Sequence, residues 1–322
     1  MTPRERQHRL RILVSFLLVY FFWGSTYLAI RVAVEHIPPA LMGGTRFLAS
    51  GTIMLLYCLA TGRKISITLG DALRLLLIGV LLLTGGNVLL AYSEQYVSSG
   101  LAALIVAVVP IWVALIEGFA LSDGARLSTR GWLGLALGVA GLVVLLWPQL
   151  SSSGESSTAN HMMLIGSGVL LIGSLSWSIG SVISRRAKVS VGPFAATGWE
   201  MAFAGIVNTL IALSLGNQRT VQWSWRGIGA IAYLVTFGSL VGFTAYIWLL
   251  EHVPTPKVAT YAYVNPVVAV FLGWLLAGEH VDRYIMMGAV VIVAAVALVN
   301  GAKLRQAPAP QREMLAAVEA EA

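Results

Sequence analysis

Long stretches of the chain carry apolar residues at almost every position, and short polar or turn-forming segments separate them. Runs such as Leu142–Leu146 and Val290–Val299 do not alternate between apolar and polar positions, which favours helices over strands. A membrane-spanning helix needs about 20 mostly apolar residues. The pattern predicts ten such helices, over residues 12–34, 39–61, 72–96, 98–121, 130–148, 162–184, 192–215, 227–250, 255–277 and 284–302.

Composition points to the same class of protein. Of the 322 residues, 57% are hydrophobic and 11% are charged, whereas a soluble domain carries about 25% charged residues. This excludes a water-soluble globule and predicts a multi-pass membrane protein. Cys58 is the single cysteine and the five histidines are far apart, so we expect no disulfide, no metal site and no cofactor.

The basic residues are distributed unevenly between the two predicted membrane faces. With a cytoplasmic N-terminus, sixteen Lys and Arg fall on the inner side, and four, Arg31, Arg219, Arg226 and Arg283, fall on the outer side. Because cytoplasmic loops are enriched in Lys and Arg, this split predicts that both termini are cytoplasmic. The net charge of +7 then reflects orientation and gives no reason to expect a nucleic-acid partner.

The second half of the chain repeats features of the first. A shift of 154 residues aligns Trp23 with Trp177, Arg31 with Arg185, Pro39 with Pro193 and Gly62 with Gly216, and a shift of 156 aligns Gly86 with Gly242 and Pro110 with Pro266. Five spans per half is an odd number, so the second half must enter the membrane from the opposite side. Such inverted repeats are typical of transporters, with the substrate site near the midplane, although channels also show them.

These observations predict a domain organisation. We expect a cytoplasmic N-terminal segment over 1–11, a first five-helix repeat over 12–148 and a polar linker over 149–161. A second repeat over 162–302 and a disordered cytoplasmic tail over 303–322 complete the chain.

Several motifs carry a resemblance to a known family. They are Phe21–Tyr27, Arg46-Phe47 and Pro110 in the first half, and Ser176–Ser181, Tyr261–Val267 and Gly278-Glu279 in the second. Over about residues 12–302 the chain resembles the EamA branch of the drug/metabolite transporter superfamily and, within it, the YedA-like group of bacterial inner-membrane permeases. The first half departs from the pattern, since Ser122-Asp123-Gly124 replaces the Gly-Glu that ends the equivalent span.

The resemblance implies an all-helical fold, in which two inverted five-helix EamA repeats enclose a central cavity that opens alternately to each side. It also implies a bacterial inner-membrane location. Characterised relatives export amino acids, their derivatives or other small metabolites, and some are assigned drugs. The family identifies the fold and the broad class of function much better than it identifies a substrate.

Charged residues inside a span are functional candidates, because a central charge costs about 2.5–3.5 kcal/mol to insert. Four qualify here: Arg46, Glu94, Glu117 and Glu200. Arg46 is either an anchor for a substrate carboxylate or a structural hydrogen-bonding post. Its repeat equivalent, Glu200, is a candidate for proton coupling or for pairing with a substrate amine. An Arg46–Glu200 ion pair stays open, although inversion places the two at different depths.

The other two acids lie closer to the membrane surfaces. Glu94 is a second candidate for proton coupling, and it lines an outer vestibule or faces water. Glu117, in the inner half of its span, is a candidate packing or inner-gate residue.

Aromatic and amide residues within the spans complete the candidate site. Together with Arg46 and Glu200, the predicted substrate-binding residues are Trp23, Tyr27, Asn87, Trp177, Tyr246, Tyr263 and Asn265. Some of these aromatic side chains are equally consistent with core packing or contact with lipid. Pro110 and Pro266 interrupt equivalent spans, and we expect them to act as hinges or to expose backbone carbonyls.

The sequence favours a secondary transporter that exports small metabolites, amino-acid-like or otherwise amphipathic, by alternating access. No phosphate-binding loop of the GK[ST] type occurs, so ATP is not expected to drive it. Broad-specificity drug efflux is the main alternative, and a membrane-embedded enzyme or a channel is a weaker one. The expected partners are a small-molecule substrate and the lipid bilayer, with a monomer favoured and a dimer left open.

Overall fold

The computed structural model describes residues 3–119, 129–151, 158–253, 258 and 260–306, and the regular structure within these ranges is entirely helical. Seven of the helices are long and apolar enough to cross a membrane. Four helical regions form the first half of the chain up to residue 119: α1 (Pro3–Val34), α2 (Pro39–Ala60), α3 (Leu69–Ser93) and α4, made of Ser99–Val106 and Val109–Phe119. Further along are α5 (Thr129–Ser151), α6 (Thr158–Arg186), α7 (Pro193–Ser214), α8 (Trp225–His252), α9 (Tyr261–Ala277) and α10 (Arg283–Gln306).

Helix ends differ from the sequence prediction by a few residues in most places. The largest difference is in α1, which begins at Pro3, because the arginine-rich segment before the apolar run is itself helical. Helix α10 continues to Gln306, so the predicted tail would start after that residue. Residues 307–322, 152–157 and 120–128 lie outside the described ranges, and with them most of the predicted tail, part of the linker and the Ser122-Asp123-Gly124 turn.

Equivalent helices of the two halves begin and end in the same way. Helices α2 and α7 both start with a proline in the first turn, Pro39 and Pro193, where no backbone N–H is needed. Gly62 and Gly216 follow their ends with φ of 68° and 71°. Only glycine adopts this left-handed conformation at little cost, so these residues end both helices sharply.

The same two helices pack directly against each other through small residues. A Cβ atom added to Gly51 of α2 would lie 2.6 Å from the backbone nitrogen of Ala202 in α7. One added to Gly205 of α7 would lie 2.4 Å from the backbone nitrogen of Leu48. Such close backbone approach is the usual means by which helices associate in lipid. Helices α5 and α10 meet in a similar way, with Gly141 against Ile292.

Two π-helical segments interrupt α3 and α8. They cover Val80–Val88 and Leu234–Val241, and their first residues are 154 positions apart. No local sequence pattern indicates them. π-helical turns are rare and occur frequently at functional sites, so their equivalent placement in the two halves directs attention to their neighbours.

We call the end of the bundle at which α1 finishes the distal end, and the end at which α1 starts the proximal end. At the distal end, the backbone N–H of Gln222 donates to the carbonyl of His36 at 2.9 Å. At the proximal end, the hydroxyl of Ser190 donates to Asp71 at 2.6 Å, and the indole of Trp199 donates to the carbonyl of Ile65 at 2.9 Å. Both ends are therefore joined by contacts between the two halves of the chain.

Candidate functional site

Arg46 is a buried cation in the middle of α2, with 4% of its surface exposed. Its Nε donates to the hydroxyl of Ser239 at 3.1 Å, and its Nη1 donates to the amide oxygen of Asn87 at 3.3 Å. Asn87 belongs to the π-helical segment of α3, and Ser239 belongs to that of α8. One guanidinium thus joins the two π-helical segments, which come from different halves of the chain.

The partners of Arg46 carry no charge. The Arg46–Glu200 ion pair that the sequence left open is not formed between these two described side chains. A guanidinium has more donors than these two contacts use, and a buried cation with neutral partners attracts an anion. A carboxylate that reached this guanidinium would have no ion pair to displace.

Glu200 lies on the surface of α7 that faces α3. Its backbone carbonyl would be 2.4 Å from a Cβ atom at Gly79, the residue just before the π-helical segment of α3. Its side chain is half-buried. Glu200 is therefore close to the start of this π-helical segment, whereas Arg46 contacts its other end at Asn87.

Trp23 lies at the centre of an aromatic cluster between α1, α8 and α9. Its Nε1 donates to the carbonyl of Gly238 at 3.1 Å, and its ring centroid is 4.9 Å from that of Tyr246 and 5.1 Å from that of Tyr261. A Cβ atom at Gly238 would lie 3.2 Å from Nη2 of Arg46. The aromatic cluster and the Arg46 site therefore share one stretch of α8 backbone.

Trp177 occupies the equivalent place in the second half. A Cβ atom at Gly86 would lie 2.8 Å from its Cε3, just as one at Gly242 would lie 2.4 Å from Nε1 of Trp23. Trp177 packs against an apolar cluster that includes Phe47, which directly follows Arg46. The repeat-related residues Trp23 and Trp177 therefore pack against the repeat-related glycines Gly242 and Gly86, respectively.

The remaining candidates have separate surroundings. Tyr27 packs partly buried against the main apolar cluster. The hydroxyl of Tyr263 donates to the carbonyl of Val296 in α10 at 3.1 Å, so this side chain is held against α10. Asn265 is buried, and its amide nitrogen is placed to donate to the carbonyls of Tyr261 at 3.2 Å and Tyr20 at 3.3 Å. Asn265 therefore connects α9 to α1 near Trp23.

The two prolines sit differently in their helices. Helix α4 is interrupted at Ala107 and Val108, immediately before the segment that contains Pro110. Pro266 is buried within the continuous segment Tyr261–Ala277 of α9. A role for either residue as a hinge stays a prediction.

Glu94 lies at the distal end of α3 and is fully buried. Within the described part of the chain, neither of its carboxylate oxygens has a hydrogen-bond partner. The side chain of Glu117 lies outside the described residues. The structure describes three of the four charged side chains within the spans, and of these Arg46 and Glu94 are more deeply buried than Glu200.

Sequence reasoning missed several residues of these sites. Ser239 and Phe243, whose ring centroid is 5.2 Å from that of Trp23, are not among the predicted residues. Tyr263 is predicted, whereas Tyr261 is the tyrosine that lies beside Trp23. Residues two apart on a helix point in very different directions, so only one of this pair could face Trp23. Ser239 could have been found from its place one residue after Gly238, in the segment that repeats the Gly85-Gly86 region.

Comparison with known proteins places the chain among transporters. The sequence model of the EamA-like transporter family matches residues 10–147 and 164–301, one copy in each half. The inner membrane transporter YedA of Escherichia coli strain K12 is 39% identical over 283 residues, which cover 88% of each chain. The transporter YoaV of Bacillus subtilis strain 168 is 23% identical over 282 residues, covering 88% of this chain and 94% of its own.

A solved crystal structure shares the fold, with a TM-score of 0.61 and 19% sequence identity, and the alignment covers 90% of this chain and 96% of that one. The seven membrane-length helices and the inner-membrane relative are consistent with a multi-pass protein of the inner membrane. Because the family model covers most of both halves, the chain belongs to the EamA-like transporter family, a branch of the drug/metabolite transporter superfamily.

Proposed function

We propose that this chain is a ten-span secondary transporter, with both termini in the cytoplasm, that moves amino acids or related amphipathic solutes out of the cell by alternating access. It acts as a monomer and uses neither ATP nor a cofactor. Its two five-helix halves are inverted repeats. The distal end then faces the cell exterior, because Arg31 and Arg226, two of the few basic residues outside the cytoplasmic segments, lie there.

The equivalent features of the two halves support this topology. The π-helical segments, the paired proline starts and glycine ends of α2 and α7, and the Trp–Gly contacts all recur at shifts of 154 or 156 residues. In transporters built from inverted repeats, the substrate binds at the interface of the repeats, where helices are interrupted.

The observation that carries the proposal is the contact of Arg46 with Asn87 and Ser239. It places an unneutralised buried cation at the interrupted stretches of α3 and α8, beside the aromatic cluster of Trp23. A carboxylate would bind the guanidinium, and an apolar or aromatic part of the same solute would pack on Trp23, Tyr246 and Tyr261. A carboxylate joined to an apolar group describes an amino acid or a close derivative.

Glu200 and Glu94 are the groups proposed to couple transport to protons. Both are acids in or beside spans, where the charged form is costly unless a proton or a substrate amine compensates it. Glu200 lies next to the π-helical segment of α3, and Glu94 lies at the distal end of the same helix.

Broad-specificity efflux of drugs or toxic compounds is the second candidate, and the aromatic cluster is the feature that favours it. The ring centroids of Phe243, Tyr246 and Tyr261 lie 5.2, 4.9 and 5.1 Å from that of Trp23, and this cluster would suit a planar solute. The two candidate functions differ in their substrate, because only export of amino acids requires a carboxylate to bind Arg46. Membership of a transporter family argues against an enzyme.

Flux into proteoliposomes tests the proposal. With a panel of radiolabelled amino acids, we expect saturable uptake of at least one of them, abolished by Trp23→Ala and Asn265→Ala. Trp147→Ala is the matched control, because Trp147 is half exposed on α5. The proposal would be contradicted if no amino acid of the panel were transported under any gradient.

The same assay with an imposed pH gradient tests the coupling group. We expect Glu200→Gln to remove the stimulation by the gradient while leaving exchange of the solute in place. Stimulation that persists in Glu200→Gln would remove Glu200 from the coupling mechanism and leave Glu94.

A further inference from the structure

The loop between α3 and α4, residues 94–98, is held at the distal end by charged residues from two other elements. Nη1 of Arg31, in the last turn of α1, donates to the carbonyl of Glu94 and, at 3.2 Å, to that of Val97. These carbonyls follow the C-terminal end of α3, where unsatisfied acceptors and the helix dipole favour a cation. Arg31 therefore ties α1 to the start of the loop.

Glu279 holds the other side of this loop. One carboxylate oxygen accepts from the backbone N–H of Ser99 at 2.8 Å, and the other accepts from that of Gly100 at 3.0 Å. These N–H groups open α4, where an anion is favoured. Glu279 belongs to the segment after α9, so this contact joins the two halves of the chain.

The backbone around Glu279 is shaped for its carboxylate. A Cβ atom at Gly273 would lie 2.3 Å from its Oε2, so no other residue could sit at that position without displacing the carboxylate. Gly278, directly before Glu279, has a φ of 64° and turns the chain back toward α4. The Gly-Glu pair of the sequence motif thus ends α9 and caps α4 at once.

A cavity of about 550 Å³ lies over these contacts. Arg31, Ser98 and Glu279 line it, together with the exposed residues Glu35 and Arg226. The side chains of Arg31 and Glu279, which hold the loop backbone, form the floor of this cavity on the side of the loop.

Glu94 is the unexplained group beneath this floor. Its carboxylate is fully buried and has no hydrogen-bond partner in the described residues, while its own carbonyl binds Arg31. The titratable groups whose charges act on it are Tyr27 and Arg31 of α1 and Glu279 after α9. Burying an ionised carboxylate without a partner is costly, whereas the protonated form is tolerated.

We propose that Arg31, Glu94 and Glu279 form the distal gate of the transporter, closed in this structure and opened when Glu94 loses its proton. This rests on the proposed alternating access. With Glu94 protonated, the loop stays packed between Arg31 and Glu279. With Glu94 ionised, opening hydrates the carboxylate, and a proton taken up from the distal side then allows the gate to close.

Thiol labelling tests the gate without any substrate. In a Cys58→Ala background, Ala91→Cys is the reporter, because Ala91 is fully buried on α3, one turn inward from Glu94. Gln95→Cys, exposed in the loop, is the reporter that does not depend on the gate. A membrane-impermeant maleimide is added to intact cells or to inverted vesicles, whichever preparation labels Gln95→Cys.

We expect Glu279→Gln and Arg31→Gln each to raise the labelling rate of Ala91→Cys about tenfold, the effect of losing one charge-assisted contact. Glu35→Gln and Arg226→Gln are matched controls, since these residues line the same cavity without contacting the loop backbone in the structure. Labelling of Ala91→Cys relative to Gln95→Cys should also rise from mildly acidic to mildly alkaline buffer, and Glu94→Gln should abolish that rise.

Unchanged labelling in both Glu279→Gln and Arg31→Gln, or equal increases in the two controls, would overturn the gate. A pH-dependent rise that survives in Glu94→Gln would overturn the role of Glu94. Should Glu279→Gln fail to accumulate in the membrane, Glu279→Asp carries the same expectation, because its side chain is one methylene shorter and cannot reach the two N–H groups. A failed flux assay with an intact gate response would count against the proposed substrate and leave the gate in place.

Discussion

Nε of Arg46 donates to the hydroxyl of Ser239 across 3.1 Å, from α2 in the first half of the chain to α8 in the second. The same guanidinium also binds Asn87 of α3. In the proposed alternating access the two halves move relative to each other, and we expect this bridging contact to change during that movement. A substrate carboxylate that competes for Arg46 would link binding to that movement.

Removing a partner of Arg46 should lower stability. We expect Ser239→Ala to cost about 1 kcal/mol, typical of a polar contact between membrane helices, and to lower the midpoint of thermal unfolding in detergent. Ser214→Ala is the control, because that exposed hydroxyl binds only the carbonyl of Ile211 in its own helix, at 2.8 Å. Equal midpoints for the wild type and Ser239→Ala would show that the Arg46–Ser239 contact contributes nothing to stability.

The contact of Trp23 with the α8 backbone should be intolerant of added volume. Gly242→Ala brings a methyl group to 2.4 Å from Nε1 of Trp23, so we expect it to abolish flux in proteoliposomes. Combining it with Trp23→Phe, which removes Nε1, the nearer of the two clashing atoms, should restore part of the flux. Gly229→Ala, with nothing within 4 Å, should behave as wild type. Full activity in Gly242→Ala would mean that Trp23 is free to move away.

The α2–α7 contact gives a matched pair of glycine substitutions. Gly51→Ala forces a methyl group against the backbone of Ala202, and we expect a loss of about 1–3 kcal/mol and a lower unfolding midpoint. Gly168→Ala on α6 meets nothing within 4 Å and should be neutral or slightly stabilising, since alanine is the better helix former. Similar midpoints for the two variants would contradict the close packing of α2 on α7.

Tyr261 and Tyr263 should have different roles in transport. Tyr261 lies against Trp23, so we expect Tyr261→Ala to raise KM for the transported solute about tenfold, the loss of one buried aromatic contact. Tyr263→Ala breaks the contact with Val296 and should lower stability with little change in KM. The KM values from proteoliposome flux distinguish the two, and the reverse result would move the binding site toward α10.

How far the sequence predicts this molecule depends on the range of the interactions involved. The length of an apolar run is set by the thickness of the bilayer and is a local feature, so most helix ends were predictable within a few residues, and the start of α1 is the exception. Gly62, Gly216 and Gly278 end helices as their residue type implies. Burial of Arg46 was also predictable, because a charged side chain within a membrane span almost always faces the interior of the helix bundle and not the lipid.

Partners were less predictable, because they depend on the register between helices far apart in the chain. No local sequence motif predicts the π-helical segments. Ser239 as a partner of Arg46, and Glu279 as a cap of α4, are separated from those partners by 193 and about 180 residues. Composition alone could not have paired them.

Solute counterflow in proteoliposomes tests the central claim most directly, because only a carrier with an alternately exposed site produces it. Vesicles loaded with the unlabelled amino acid should transiently concentrate the labelled one, and Arg46→Gln should eliminate this overshoot. The amino-acid amide, which lacks the carboxylate, should compete poorly. An overshoot that is unchanged in Arg46→Gln, or the absence of overshoot for every solute that crosses the membrane, would contradict the account.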